Sequence, residues 1–337
     1  MLRLCVAIVS LLSPPARAVL VVPKPSPSQL KWQHQELGVI IHYNMITGKG
    51  QGCPGAGPRA KASPPAAALF QPAPDFDATE WMETINALGA KYAVYVAKHG
   101  CGFCTWRTNA TFLNGTRYPY ATGGPDGATK VDVVQAFLTA ARAANVLPGF
   151  YYSLTSNNFL HAFGNVSHAE FESIVMQQIR ELWDHKSSGD LFEIWMDGGY
   201  NPDLKANLSA LLLKQQPDSI IFNGCDPTNG CLADAGNARW IGTEAGAAPA
   251  NTWDTGTHYG GGNPNSSVWN PPESDTTLQL GDNWFYTPVG IRSLDQLVQV
   301  YHTTVGRNTN LLLDIAPLPN GSIPHYAKSR YAEFGGQ

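Results

Sequence analysis

Charge is scarce in this chain. Only 14% of its 337 residues are Asp, Glu, Lys or Arg, the formal net charge is −4, and no basic run occurs. Nucleic acid is gripped mainly by Lys and Arg neutralising phosphates, so it is not an expected partner. Long apolar runs are few as well. A mostly apolar run at 4–12 falls short of the roughly 20 residues a bilayer span requires, and no later stretch reaches that length. No membrane span is therefore expected. No Gly-x-Gly-x-x-Gly turn follows the first internal apolar run, which argues against a dinucleotide-binding, doubly wound sheet. Internal repeats, coiled-coil heptads and charge blocks are missing too. What is plentiful is apolar and aromatic material: 43% hydrophobic residues, with nine Trp and thirteen Tyr, enough for a large core and for platforms on which sugars stack.

The N-terminus reads as an address label. Arg3 supplies a positive start, 4–12 the apolar stretch, and Ala16-Arg17-Ala18 a small-x-small cleavage site. Residues 1–18 are thus expected to be a signal peptide and 19–337 the functional domain, destined for secretion or for a lumen such as a lysosome or vacuole. Six Asn-x-Ser/Thr sequons, at Asn109, Asn114, Asn165, Asn207, Asn265 and Asn320, agree with that route. Of six cysteines, Cys5 leaves with the signal. Cys225 and Cys231 flank a short Gly-, Asn-, Asp- and Pro-containing loop and are a candidate disulfide. Cys101-Gly102-Phe103-Cys104 has the spacing of a redox motif or zinc half-site, but no second ligand pair accompanies it. Pairing of Cys53 with one of these two is the favoured use, and an odd count leaves at least one thiol.

Short apolar runs alternate with amphipathic stretches of helical length. Strands are expected at 38–42, 92–97, 147–153, 191–197, 219–223, 240–243, near 284–286, and at 310–315. Helices are expected at 78–88, after Asp77 as N-cap, and at 131–144, 171–183, 202–214, 294–304 and 325–334. Eight strands with intervening helices predict an α/β fold, a (β/α)₈ TIM-like barrel. The loops 47–74, 105–130 and 245–283 are long and follow strand ends, where such a barrel builds its active site. The chain ends about twenty residues after the last expected strand, so no separate C-terminal domain is expected.

The strand ends carry a distinctive set of side chains: His42, His99, Tyr151, Asp197, Asn223 and Glu244. Asp197 closes an apolar run just before Gly198-Gly199, well placed to line a pocket, although an Asp there can equally bond its own turn. Glu244 stands 47 residues later, again before a glycine-containing turn, which puts it two strands along the barrel. Neighbouring strands lie about 4.8 Å apart, so inward-leaning side chains two strands apart bring carboxylates to about 5–6 Å, suited to double-displacement glycoside hydrolysis. Capping or ion-pairing roles are the plainer alternative for both acids. His42 and His99 could pair on a metal, but the His-x-His typical of metal-dependent barrel hydrolases is absent from the first strand; neutral histidines donating to sugar hydroxyls fit better, and either could be a satisfied structural histidine.

Several stretches, in order and spacing, resemble the α-L-fucosidases of glycoside hydrolase family 29. They are Gly38-Val39-Ile40-Ile41-His42-Tyr43-Asn44, Phe76-Asp77-Ala78-Thr79-Glu80-Trp81, Ala97-Lys98-His99, Gly102-Phe103-Cys104-Thr105-Trp106, Gly149-Phe150-Tyr151-Tyr152-Ser153, Trp195-Met196-Asp197-Gly198, Trp284-Phe285-Tyr286 and Asn310-Leu311-Leu312-Leu313-Asp314. The resemblance implies a retaining exo-α-L-fucosidase with Asp197 as nucleophile and no metal or organic cofactor. Arg239-Trp240-Ile241-Gly242-Thr243-Glu244 resembles the acid/base segment of the subgroup that cleaves α-1,3 and α-1,4 branches, with Glu244 as acid/base. It further implies that His42, His99, Trp106, Tyr151 and Trp195 line the fucose subsite and that Glu273 and Trp284 help to shape it. The implied partner is a fucosylated oligosaccharide or glycoprotein. Two departures stand out: Gly100 occupies the place of a family histidine, and Gly50-Gln51-Gly52-Cys53 that of a Glu-Trp pair. The β-sandwich that follows the barrel in relatives is not expected here. A fucose-binding protein with a degenerate site, or a glycosidase of other specificity on the same barrel, is the alternative reading.

Overall fold

The structure, a computed structural model, describes residues 22–48, 53, 70–124, 129–162, 166–234 and 236–337. The expected signal peptide and the sequon at Asn165 lie outside them. The strands are β1 (Leu37–Ile41), β2 (Tyr92–Lys98), β3 (Leu147–Ser153), β4 (Glu193–Asp197), β5 (Ile220–Phe222), β6 (Cys225–Asp226), β7 (Gly230–Cys231), β8 (Asn237–Trp240), β9 (Pro272–Thr276) and β10 (Asn310–Ile315). Eight of them close a parallel barrel in the order β1-β10-β9-β8-β5-β4-β3-β2, while β6 and β7 form a separate two-stranded hairpin. The fold is the (β/α)₈ barrel. Its helices are α1 (Pro27–Gln33), α2 (Thr79–Leu88), α3 (Val133–Ala143), α4 (Asn158–Ala162), α5 (His168–Trp183), α6 (His185–Ser188), α7 (Lys205–Gln215), α8 (Leu294–Thr303) and α9 (His325–Gly335).

Strand alternation sorts the side chains. On β1, Val39 and Ile41 join the layer between sheet and helices, whereas Ile40 joins the barrel interior with Tyr92, Val94, Tyr151, Trp195, Phe222 and Leu312. Helix α1 plugs the amino-terminal end of the barrel. A capping box between Ser26 and Gln29 starts it, and its Trp32 is fully buried against the interior set. Gly38 makes room for that floor: a Cβ there would stand 2.2 Å from the Tyr92 ring.

Two expected strands are corrected. The sixth barrel strand is β8, which ends at Trp240 rather than running through 240–243; Gly242, at φ 91°, turns the chain away and leaves Glu244 on a loop. The seventh is β9, Pro272–Thr276, and not the segment near 284–286. Its sequence, Pro-Glu-Ser-Asp-Thr, lacks any apolar run because the interior there is polar, yet all five residues are buried. The loop expected to run unbroken over 245–283 therefore contains a barrel strand. Residues 284–286 cross the mouth as a loop. Strand β2 carries a register shift between Val96 and Lys98, which lets Lys98 turn outward over the Tyr152 ring, 4.2 Å from its centroid.

Candidate active site

The carboxyl-terminal ends of the strands gather most of the expected set. Asp197 ends β4 half-buried, and the Tyr151 hydroxyl, one strand away, donates to its Oδ2 at 2.6 Å. Glu244 follows β8, two strands from β4 in the closed order, with an exposed side chain. Its carbonyl accepts from the Thr276 hydroxyl at 2.7 Å, and its Oε2 accepts from the Trp284 indole at 3.0 Å, so β9 and the mouth loop fix it from two sides. Burial pushes the Tyr151 hydroxyl well above its ordinary range, and both carboxylates add to the shift.

An aromatic and imidazole cluster surrounds that point. His42 lies 6.2 Å from His99, 6.1 Å from Tyr151, 5.0 Å from Trp284 and 5.1 Å from Phe285, ring centre to ring centre. Tyr151 stacks on Trp195 at 5.3 Å, and Trp195 on Phe222 at 3.9 Å. His42 shares a 2.8 Å hydrogen bond between Nδ1 and Asp314 on β10. Burial lowers the His42 pKa well below its ordinary value and raises that of Asp314. Burial also lowers His99 to about 4, against the opposing pull of Asp197. Both imidazoles are therefore neutral near pH 7, able to donate and accept hydrogen bonds without adding charge. His99 Nδ1 is buried with no hydrogen-bond partner among the described residues, an unmet demand that a polar ligand would satisfy.

Two of the expected site residues are elsewhere. Trp106 is turned to the helical flank, where its indole donates to Glu181 on α5 at 2.9 Å. The cause is local: the Thr105 amide and hydroxyl both bond back to Ala97 O, folding the chain along the end of β2. Trp106 borders a groove of about 680 Å³ between α3 and α5; neither Asp197 nor Glu244 lines it. Glu273 lies in the barrel interior with no exposed surface, accepting from the Tyr92 hydroxyl at 2.8 Å and the Trp195 indole at 2.9 Å. It braces Trp195 from below instead of lining the mouth. Burial raises Glu273 to about 7, and Glu193 beside it is raised in the same direction, also chiefly by burial.

Other contributors escaped the sequence reading. Asp314, Phe285 and Phe222 support the rings, and Asp275, buried near the end of β9, accepts from the Trp240 indole at 2.6 Å. Its pKa is raised to about 8, chiefly by burial, with the nearby Glu244 adding to it. Asp314 could have been found, since it stands in an apolar run as Asp197 does. Beside Gly198 and Gly199 opens a cleft of about 240 Å³, lined also by Tyr200, Asn223, Asp226 and Tyr259. Cys225 and Cys231 bridge the hairpin on its rim, Cys53 is bonded to Cys101, and Cys104 remains a buried thiol. Of the sequon asparagines, Asn109, Asn114, Asn207, Asn265 and Asn320 are exposed.

A closed parallel barrel whose carboxyl-terminal mouth collects two acids, neutral histidines and stacked aromatic rings has the architecture of the barrel glycosidases. The profile of the family described as Alpha-L-fucosidase matches residues 64–336, and the chain belongs to that family. It is 27% identical over 324 residues to alpha-L-fucosidase 1 of Arabidopsis thaliana, a match covering 90% of this chain and 58% of that protein. Against plasma alpha-L-fucosidase of Homo sapiens the identity is 26% over 268 residues, covering 77% of this chain and 53% of the relative. The chain thus spans little more than half the length of these relatives. A crystal structure of a putative alpha-L-fucosidase from Bacteroides thetaiotaomicron superposes with a TM-score of 0.77 at 25% identity, covering 93% of this chain and 67% of that one.

Proposed function

We propose that this protein is a retaining exo-α-L-fucosidase that removes terminal L-fucose, α-1,3- or α-1,4-linked, from glycans or glycoproteins. The observation that carries the reading is that Asp197, bonded by Tyr151, and Glu244, bonded by Trp284, stand on either side of His42 at one end of the barrel, with the Tyr151 and Trp284 rings 6.1 Å and 5.0 Å from the imidazole. Asp197 attacks the anomeric carbon while Glu244 protonates the departing oxygen; Glu244 then deprotonates the water that releases fucose from Asp197. His42 and His99 bond sugar hydroxyls, and the Tyr151–Trp195 stack meets the apolar face and methyl group of fucose. The cleft beside Gly198 has room for the sugar to which fucose is attached. The same reading takes 1–18 as a cleaved signal, 19–337 as the catalytic domain, and the exposed sequon asparagines as glycan carriers on a secreted or lumenal protein.

The test is release of fucose from an aryl α-L-fucoside and from a Lewis-type trisaccharide, beside a panel of other aryl glycosides. Asp197→Ala should abolish turnover on both fucosides, and azide should restore part of it on the aryl fucoside. Release of a different sugar, binding without release, or near-normal rates in folded Asp197→Ala protein would each defeat the proposal.

A further inference from the structure

The Cys53–Cys101 bridge touches the candidate site. Cys101 follows His99 by two residues, and Cys53 arrives from the long segment after β1. The two sulfur atoms and one ring nitrogen of His99 all lie within 4.8 Å of one another. A tetrahedral zinc ion with Zn–S of about 2.3 Å and Zn–N of about 2.0–2.1 Å holds its donors about 3.3–3.8 Å apart, so seating one requires the two bonded sulfurs to part while the imidazole keeps to their side. His99 also presents a buried Nδ1 that no group among the described residues satisfies. Cys53 is half-buried, the more accessible end of the bond, whereas Cys101 is buried. The other donor cluster among the described residues, His168, Glu172 and Asp203, lies toward the surface with no comparable soft ligands.

We infer that the disulfide holds closed a Cys₂His site for a thiophilic d¹⁰ cation such as Zn²⁺, and that filling this site shuts the enzyme down. A phosphine or dithiol reductant supplies two electrons, and with two protons the S–S bond becomes two thiols while the reductant is oxidised. Zn²⁺ then binds both sulfurs and the imidazole nitrogen, releasing the two thiol protons to solvent and leaving a fourth position for water. With His99 tied to the metal, one sugar-facing side chain is lost. That last consequence rests on the proposed fucosidase reading; the metal site itself does not. The intact bridge therefore protects a hydrolase in an oxidising compartment from inhibition by soft metals.

The experiment uses the full chain carrying Cys225→Ser and Cys231→Ser, so that the hairpin thiols cannot compete. Oxidised and phosphine-reduced samples are titrated with Co²⁺ and Zn²⁺ in metal-free buffer, following thiolate-to-cobalt absorption, far-UV circular dichroism and aryl-fucoside hydrolysis. Reduced protein should take up about one equivalent with a thiolate–cobalt spectrum and lose about tenfold or more of its activity; a chelator should restore it. Oxidised protein should do neither. Cys53→Ser should abolish the thiolate–cobalt signature, and His99→Ala should weaken uptake in the same folded background. Unchanged uptake in both variants, full activity with metal bound, or unfolding on reduction alone overturns the inference. An oxidised protein that never hydrolyses the fucoside counts against the fucosidase reading, while the cobalt spectrum still decides the metal site.

Discussion

At the scale of single residues, the two acids are held in different ways, and this predicts how their substitution should differ. Asp197 is gripped by a buried phenol, as suits the nucleophile proposed for it. Glu244 is exposed, with its carboxylate tethered by one indole, as suits the acid/base role proposed for it. Glu244→Ala should therefore cost about 100-fold or more on a natural oligosaccharide and far less on a nitrophenyl fucoside, whose leaving group needs no proton. Steady-state rates on the two substrates check this; equal losses would remove Glu244 from the role of proton donor. The position of Asp197 was legible in the sequence because it closes an apolar run at a glycine turn, whereas Glu244, expected at a strand end, lies instead on the loop beyond β8. Trp106 was not legible, since an aromatic beside a strand end can face either the mouth or the flank, and the Thr105 turn that decides between them leaves no periodic trace.

Among the elements, the amphipathic helices and the apolar strands were readable, and β3 and β10 start and stop where their sequences predict. Strand β9 was not, because its buried side chains are Glu, Ser, Asp and Thr, and hydrophobic pattern is the signal by which strands are recognised. The barrel tolerates such a strand because the Trp240 indole of the neighbouring β8, and the Tyr92 phenol and Trp195 indole reaching across the interior from β2 and β4, bond its acids. Asp275 makes this testable. Its folded pKa of about 8, against an ordinary 3.8, means that the unfolded chain loses this proton first as pH rises. Its contribution to stability is thus full below pH 3.8 and falls away up to about pH 8. Asn keeps an oxygen for the Trp240 indole but cannot ionise. The stability of Asp275→Asn relative to the parent should therefore climb between pH 4 and pH 8, by at most about 1.4 kcal/mol per unit. Urea unfolding at several pH values measures the difference, and a flat difference would mean that Asp275 ionises freely in the fold.

For the whole molecule, the central fact is closure: β1 pairs with β10, so the first and last barrel strands meet at the wall that carries His42. The last helix completes this junction. Ala327, Tyr331 and Phe334 of α9 are buried, Lys328 pairs with Glu80 of α2, and the Trp81 indole donates to Gly321 O at 2.7 Å in the segment leading to α9. The Tyr331 hydroxyl also donates to the backbone carbonyl of Asp314, the residue whose side chain holds His42. Support therefore runs from the end of the chain to the candidate sugar site through two hydrogen bonds. Truncation after Pro324 removes two large buried side chains worth about 1.5–3 kcal/mol each, a sizeable share of the roughly 5–15 kcal/mol that holds a domain together. It should lower the urea midpoint sharply or leave the protein insoluble. Tyr331→Phe is the finer test, because it deletes one hydroxyl and keeps the ring. It should cost about 0.5–1.5 kcal/mol and, by loosening Asp314 and His42, raise KM for an aryl fucoside more than it lowers kcat. A stability loss with KM unchanged would show α9 to be a brace for the barrel alone, with no part in holding the site.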